Sequence, residues 1–287
     1  MSASVLLAGL GKLGQALAGQ LSQKGYQVHG LCRSPKNLPG VTLHYTDLTD
    51  PQVPITLSKV DYVFILLAPG SREEAHYRAT YVDGSRRLIN ALPQVPKHLF
   101  FISSTSVYGQ QNHEWIDETS ETQPASFSGR ILLEAEALIH SQPYPTTCLR
   151  LSGIYGEGRN HLLNQVREGK IPAREHVHYS NRIHQEDAIG AMQHLLTLAI
   201  QGQPLESCYL VTDNEPATLH EVCQWMAEQL GVETVEEGQP RRRGGSKRCC
   251  NKRLTDTGYC LRYPDFRKGY TGLTANNLEQ KASQNYK

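Results

Sequence analysis

A strand-like run, Val5-Leu6-Leu7-Ala8, turns straight into Gly9-Leu10-Gly11-Lys12-Leu13-Gly14 and then into an amphipathic stretch over residues 13–24. Few folds accept three glycines at that spacing between a buried strand and a helix. The first glycine permits a tight turn, the second lets a pyrophosphate approach the backbone, and the third lets helix and strand pack closely. Phosphates rest well on the amides that open a helix, where the dipole also favours an anion. The bare pattern is weak, but its place between strand and helix makes Gly9, Leu10, Gly11, Lys12, Leu13 and Gly14 a candidate dinucleotide site.

Further apolar runs of strand length lie at residues 27–32, 41–45, 62–67, 98–103 and 146–150. Most are near-continuous rather than alternating, as strands buried on both faces should be. Helix-like stretches fall between them at 72–92 and 128–142, the second with Leu132, Leu133, Ala135, Leu138 and Ile139 at helical spacing. This alternation predicts an α/β chain with a Rossmann-type doubly wound parallel sheet over residues 1–150. After Leu151 the rhythm changes, with a glycine-rich stretch and then helices at 187–200 and 219–230. Residues 151–275 are expected to form a smaller substrate lobe interleaved with the first, and 276–287 a polar tail.

A net charge of +1, with 39% hydrophobic and 20% charged residues, offers no global field for nucleic acid or an acidic membrane surface. Seven cysteines, an odd number without metal-type spacing, fit reduced thiols. The first apolar run is too short for a signal peptide or a membrane span, so the expected setting is cytoplasmic. The cationic group Arg241, Arg242, Arg243, Lys247 and Arg248 reads as a solvated loop or as a clamp on a phosphate or carboxylate. It is thin support for nucleic-acid association. His176, His178 and His184 lie close together, yet no cysteine or paired carboxylate completes a shell, and no metal is expected.

The second strand ends in Leu31-Cys32-Arg33-Ser34-Pro35-Lys36, with Cys32 where a ribose-binding carboxylate commonly stands, about 20 residues past the glycine motif. Nothing there repels an adenosine 2′-phosphate, and Arg33, Ser34 and Lys36 offer donors suited to it. NADP is therefore favoured. If Arg33 only faces solvent or stacks on adenine, NAD is equally acceptable.

Several stretches in order resemble the extended short-chain dehydrogenase/reductase superfamily, of the NAD-dependent epimerase/dehydratase type. They are Gly9 to Gly14, Asp47-Leu48, Leu66-Leu67-Ala68, Ser103-Ser104-Thr105-Ser106-Val107-Tyr108-Gly109, Arg150-Leu151-Ser152-Gly153-Ile154-Tyr155-Gly156 and Arg182-Ile183-His184-Gln185-Glu186-Asp187. The resemblance implies that Asp47 and Leu48 contact the adenine end, that Leu67 and Ala68 line the nucleotide cleft, and that Ser103 lies near the nicotinamide. Ser104 matches the catalytic serine or threonine. The segments around Tyr155, Arg159 and His184 are implied on the substrate side, and a sugar nucleotide is the implied substrate class. The helices at 72–92 and 128–142 are a dimer surface in relatives, so a homodimer is also an expectation.

The chain departs from that family at one point. The Tyr-x-x-x-Lys element that follows the serine motif is replaced by Ser128 and Leu132, and the pattern occurs nowhere else in the chain. Serine is a far weaker acid than a phenol, and leucine offers no charge to stabilise an oxyanion. Atypical extended members share this loss, and the chain resembles them. Tyr108, just past the fifth strand, is a candidate phenol or else a packing tyrosine. Ser104, Tyr108 and Ser128 are thus the candidate catalytic residues. Arg130 does not share a helix face with Ser128, and Glu134 and Glu136 read as solvated helix positions. Two functions follow: an oxidoreductase or epimerase acting on a small molecule, or a binding protein that keeps the dinucleotide site and reports cofactor state.

Overall fold

The computed structural model describes residues 2–237 and 245–273. The arginines at 241–243 and the tail at 276–287 lie outside them. A parallel sheet of seven strands forms the core, and its first five strands are β1 (Ser4–Ala8), β2 (Gln27–Cys32), β3 (Val41–Tyr45), β4 (Tyr62–Ile65) and β5 (His98–Ser104). Strands Thr146–Leu151 and Cys208–Val211 complete it. Across the sheet the order is Cys208–Val211, Thr146–Leu151, β5, β4, β1, β2, β3. The order reverses between β4 and β1, and at such a switch point the carboxyl ends of the strands open a crevice. Val5 pairs with both Val28 and Tyr62, which sets β1 at the centre.

β1 and β4 are buried at every residue, so their sequences SVLLA and YVFI need no polar face. β3 lies at an edge and is only partly buried. Helices α1 (Lys12–Gln23), α2 (Glu74–Arg78), α3 (Gly84–Asn90) and α4 (Phe127–His140) follow in order. The segment expected as one helix over 72–92 is interrupted, because a π-helical turn at Ala79–Asp83 separates α2 from α3. Tyr77 meets Phe127 edge-on at 5.3 Å, and Arg78 pairs with Glu134 at 2.6 Å, so this segment packs on α4. Helices α5 (His161–Arg167), α6 (Gln185–Ile200) and α7 (Leu219–Leu230) follow. Gln193 of α6 bonds to Gln20 and Lys24 beside α1.

The chain divides into two compact units. The first is built from residues 1–107, 122–150 and 189–209 and holds most of the sheet; the second takes 108–121, 151–188 and the described residues from 210 onward. The second unit has its own core, in which Val166, Val222, Cys223, Met226 and Phe266 are at most 1% exposed. α7 starts at a reciprocal cap: Thr218 Oγ1 accepts from Glu221 N at 3.2 Å while Glu221 Oε2 accepts from Thr218 N at 2.8 Å. It ends at Gly231, whose φ of +61° is left-handed.

Candidate functional site

The first unit carries a cleft of about 300 Å³ at the switch point. Its floor is the glycine turn. Gly9 has a φ of +109°, and a Cβ there would lie 2.5 Å from Leu66 O, so the ends of β1 and β4 meet too closely for any side chain. A Cβ on Gly14 would lie 2.1 Å from Gly9 O, which seats α1 directly on the turn. A Cβ on Gly11 would meet nothing within 4 Å. Gly11 caps α1 without a side-chain acceptor, and a helix leaves its first amides without intrahelical partners. Two glycines are therefore needed by the fold, and the third opens onto space beside a positive helix end. That arrangement fits a pyrophosphate. Leu10 is buried, whereas Lys12 is exposed and Leu13 half-buried.

The walls come from the end of β2, the loop after β3, the end of β4 and Thr80 of the π-helical turn. Cys32, Arg33, Ser34 and Lys36 all line the cleft, as do Asp47, Leu48, Leu67 and Ala68. Arg33 and Ser34 are exposed, and the Cys32 thiol donates to Ser34 O at 3.3 Å. Burial raises the pKa of that thiol, so it stands as a neutral group. Asp47 accepts from Thr49 N at 2.9 Å and Thr49 Oγ1 at 2.7 Å. Burial acts to raise its carboxyl, but these bonds and the charges of Arg33 and Arg87 outweigh it and hold the group below its ordinary value. Arg87, which no motif marks, donates to Asp47 O, Leu48 O and Val53 O at 3.0, 2.8 and 2.6 Å. It pins the loop that forms this wall.

β5 and α4 carry the candidate hydroxyls of the first unit. Ser104, half-buried at the end of β5, accepts from Ser106 N at 3.1 Å, a bond that leaves its own proton for donation. A Cβ on Gly129 would lie 2.4 Å from Ser106 O, so the first turn of α4, with Ser128, is tucked against the loop that follows Ser104. Ser128 Oγ lies 3.0 Å from Ser126 Oγ, the cap of α4. Leu132, one turn on, is a core residue at 4% exposure. Arg130 is exposed and donates to Ala125 O at 3.1 Å.

Glu136 corrects the expectation of a solvated position. It is 3% exposed, and its Oε1 accepts from Ser103 Oγ at 2.6 Å and from Arg150 Nε at 3.0 Å. Its Oε2 accepts from Arg150 Nη2 at 2.6 Å. Glu134 is the exposed member of the two, paired with Arg78. The spacing placed them on different faces, but only the fold shows which face is inward.

In the second unit Tyr108 is 1% exposed, and its carbonyl accepts from Lys247 Nζ at 2.8 Å. Tyr155 and His184 are each 4% exposed and meet edge to face at 5.2 Å. Tyr155 also stacks on Tyr270 at 4.5 Å, over Gly269, where a Cβ would strike the phenol oxygen. Both residues are thus packed into this unit, and Arg159 is half-buried. Burial lowers the pKa values of His184 and Arg159 and raises that of Tyr155. Asp213, which no motif marked, is 1% exposed; burial pushes its carboxyl up to about 8 against the opposing charge of Arg182. Among the described residues no group of three His, Cys, Asp or Glu is placed to hold a metal, and no helix is long and apolar enough to cross a membrane.

Known proteins agree with this architecture. Protein YeeZ of Escherichia coli (strain K12) is 28% identical over 277 residues, covering 91% of this chain and 96% of its own. A Methylobacillus flagellatus structure assigned to the NAD-dependent epimerase/dehydratases is 34% identical with a TM-score of 0.79, covering 96% of this chain and 99% of its own. The human epimerase family protein SDR39U1, solved with NADPH, shares the fold at 20% identity and a TM-score of 0.78, covering 95% and 99%. The family model for the NAD dependent epimerase/dehydratase family matches residues 5–195, two thirds of the chain. With the glycine turn, the switch-point cleft and this match in agreement, the chain belongs to the NAD-dependent epimerase/dehydratase family.

Proposed function

We propose that this chain binds NADP in preference to NAD and acts on a small molecule as an epimerase/dehydratase-like oxidoreductase with an altered proton relay. The observation that carries the cofactor reading is the wall at the end of β2. Arg33, Ser34 and Lys36 line the cleft there, and a neutral thiol, Cys32, replaces the carboxylate that would repel a 2′-phosphate. Gly9 to Gly14 would hold the pyrophosphate, Asp47 and Leu48 the adenine end, and Leu67 and Ala68 the middle. When bound, the cofactor supplies a nicotinamide that gives or takes hydride.

Ser104 and Ser128 would then be the hydroxyls that hydrogen-bond a substrate oxygen and orient it, while neither is acidic enough to carry its proton near neutral pH. Tyr108 is buried, and its carbonyl accepts from Lys247 Nζ. The substrate is a small molecule, with a sugar nucleotide the class that the family resemblance favours. Ser128 and Leu132, standing where a tyrosine and a lysine would carry the proton chemistry, favour a second reading: a protein that binds NADP and reports its redox state to a partner.

Fluorescence titration with NADPH and NADH tests the cofactor reading. NADPH should bind more tightly, Arg33→Ala should weaken NADPH about tenfold while leaving NADH unchanged, and Cys32→Asp should reverse the preference. Binding of neither nucleotide would sink it. A substrate panel followed by nicotinamide absorbance separates the two functions, since the sensor gives no turnover but a change in assembly or partner binding between NADP and NADPH.

A further inference from the structure

Ser103, Glu136 and Arg150 are each at most 8% exposed, and they join three separate elements: the end of β5, the inward face of α4 and the strand Thr146–Leu151. Both Glu136 oxygens are engaged, Oε1 by the Ser103 hydroxyl and Arg150 Nε, Oε2 by Arg150 Nη2. Opposite charges bonded in this way keep a buried carboxylate tolerable, but such a pair is rarely a large net source of stability. Its placement is more informative. Residues 128, 132 and 136 recur at every fourth position of α4 and share one face, with Ser128 and Glu136 separated by the apolar Leu132. β5 lies next to β4, whose carboxyl end lines the dinucleotide cleft, so Ser103 and Ser104 stand at the same edge of the sheet, one strand further along.

We infer that this trio is a positioning clamp for the nicotinamide end of the cofactor, and that Glu136 is its central residue. The inference rests on the NADP reading above. By holding the Ser103 hydroxyl towards α4, Glu136 fixes the last residues of β5. Ser104 is the next and last residue of that strand, so its backbone is set by the same anchor. Arg150, bonded to both Glu136 oxygens, leaves Glu136 unable to follow Ser103 if β5 shifts. The clamp thus ties the strand that carries Ser104 to the helix that carries Ser128.

The test compares two probes on the purified full-length protein: NADPH, which reaches β5, and 2′,5′-ADP, which fills only the adenine half. Ser103→Ala is expected to weaken NADPH about tenfold and 2′,5′-ADP less than twofold, with the melting temperature nearly unchanged. Ser103→Thr, which keeps the hydroxyl, should restore NADPH affinity. Glu136→Gln should act on the same probe, and its combination with Ser103→Ala should cost no more than either change alone. If Glu136→Gln fails to fold, the Ser103 pair decides the matter. Unchanged NADPH affinity in Ser103→Ala overturns the inference, as does an equal loss for both probes, which marks general damage. If the unmodified protein binds neither probe, the NADP reading itself falls and the clamp's role falls with it.

Discussion

A methyl group separates the roles of the glycines in the first turn. Gly14→Ala would place its Cβ 2.1 Å from Gly9 O, a clash with backbone that rotamer changes cannot relieve. It should cost about 3 kcal/mol in denaturant unfolding. Gly11→Ala meets nothing within 4 Å, and its φ of −69° suits any residue. That variant should stay within about 1 kcal/mol of the parent yet lose NADPH affinity, and a matching loss of stability would contradict this division of labour. These glycines were legible because their spacing encodes their geometry. Glu136 was not, because its partners Ser103 and Arg150 lie 33 and 14 residues away. Asp213 escaped for the same reason: its burial is set by the fold and by no local pattern.

At the scale of elements, the clearest ends were those with their own signals. α7 begins after Thr218 and stops before Gly231, where the capping pair and the left-handed glycine set both limits. Thr218→Ala should therefore cost about 1 kcal/mol in thermal unfolding. The segment 72–92 reads as one helix because apolar spacing does not register the extra residue of a π turn. That turn, Ala79–Asp83, lets Thr80 line the cleft, and α3 then sets Gly84 against Leu48 and carries Arg87 to the loop carbonyls. Such turns recur at functional sites. Arg87→Ala should speed amide exchange over residues 46–53 and raise the NADPH dissociation constant several-fold, while exchange in β1 stays slow. Fast exchange in both regions would show a global effect instead.

For the whole molecule, two buried groups set opposing limits on stability with pH. His98, 7% exposed in β5, has its pKa lowered by burial from 6.5 to about 4. The unfolded chain therefore takes up its proton first, and stability is lost as pH falls from 6.5 towards 4. Asp213 has its pKa raised by burial from 3.8 to about 8, so the folded state holds a proton the unfolded chain has released. Its contribution declines as pH rises from 3.8 and levels off above 8. Between pH 6.5 and 8 only the Asp213 effect remains of the two. Asp213→Asn should flatten that limb of the melting curve, and an unchanged slope would place the effect elsewhere. The two units also have a consequence for synthesis. The chain passes between them after residues 107, 121, 150, 188 and 209, so neither is a contiguous piece of sequence. On the ribosome, the first unit cannot close until residue 209 has emerged, and until then the strand Thr146–Leu151 lacks its outer neighbour. Stalled nascent chains ending near 150 should accordingly be open to protease and to chaperones that bind exposed strand edges, even though the residues that line the dinucleotide cleft, all within 9–80, have already been made.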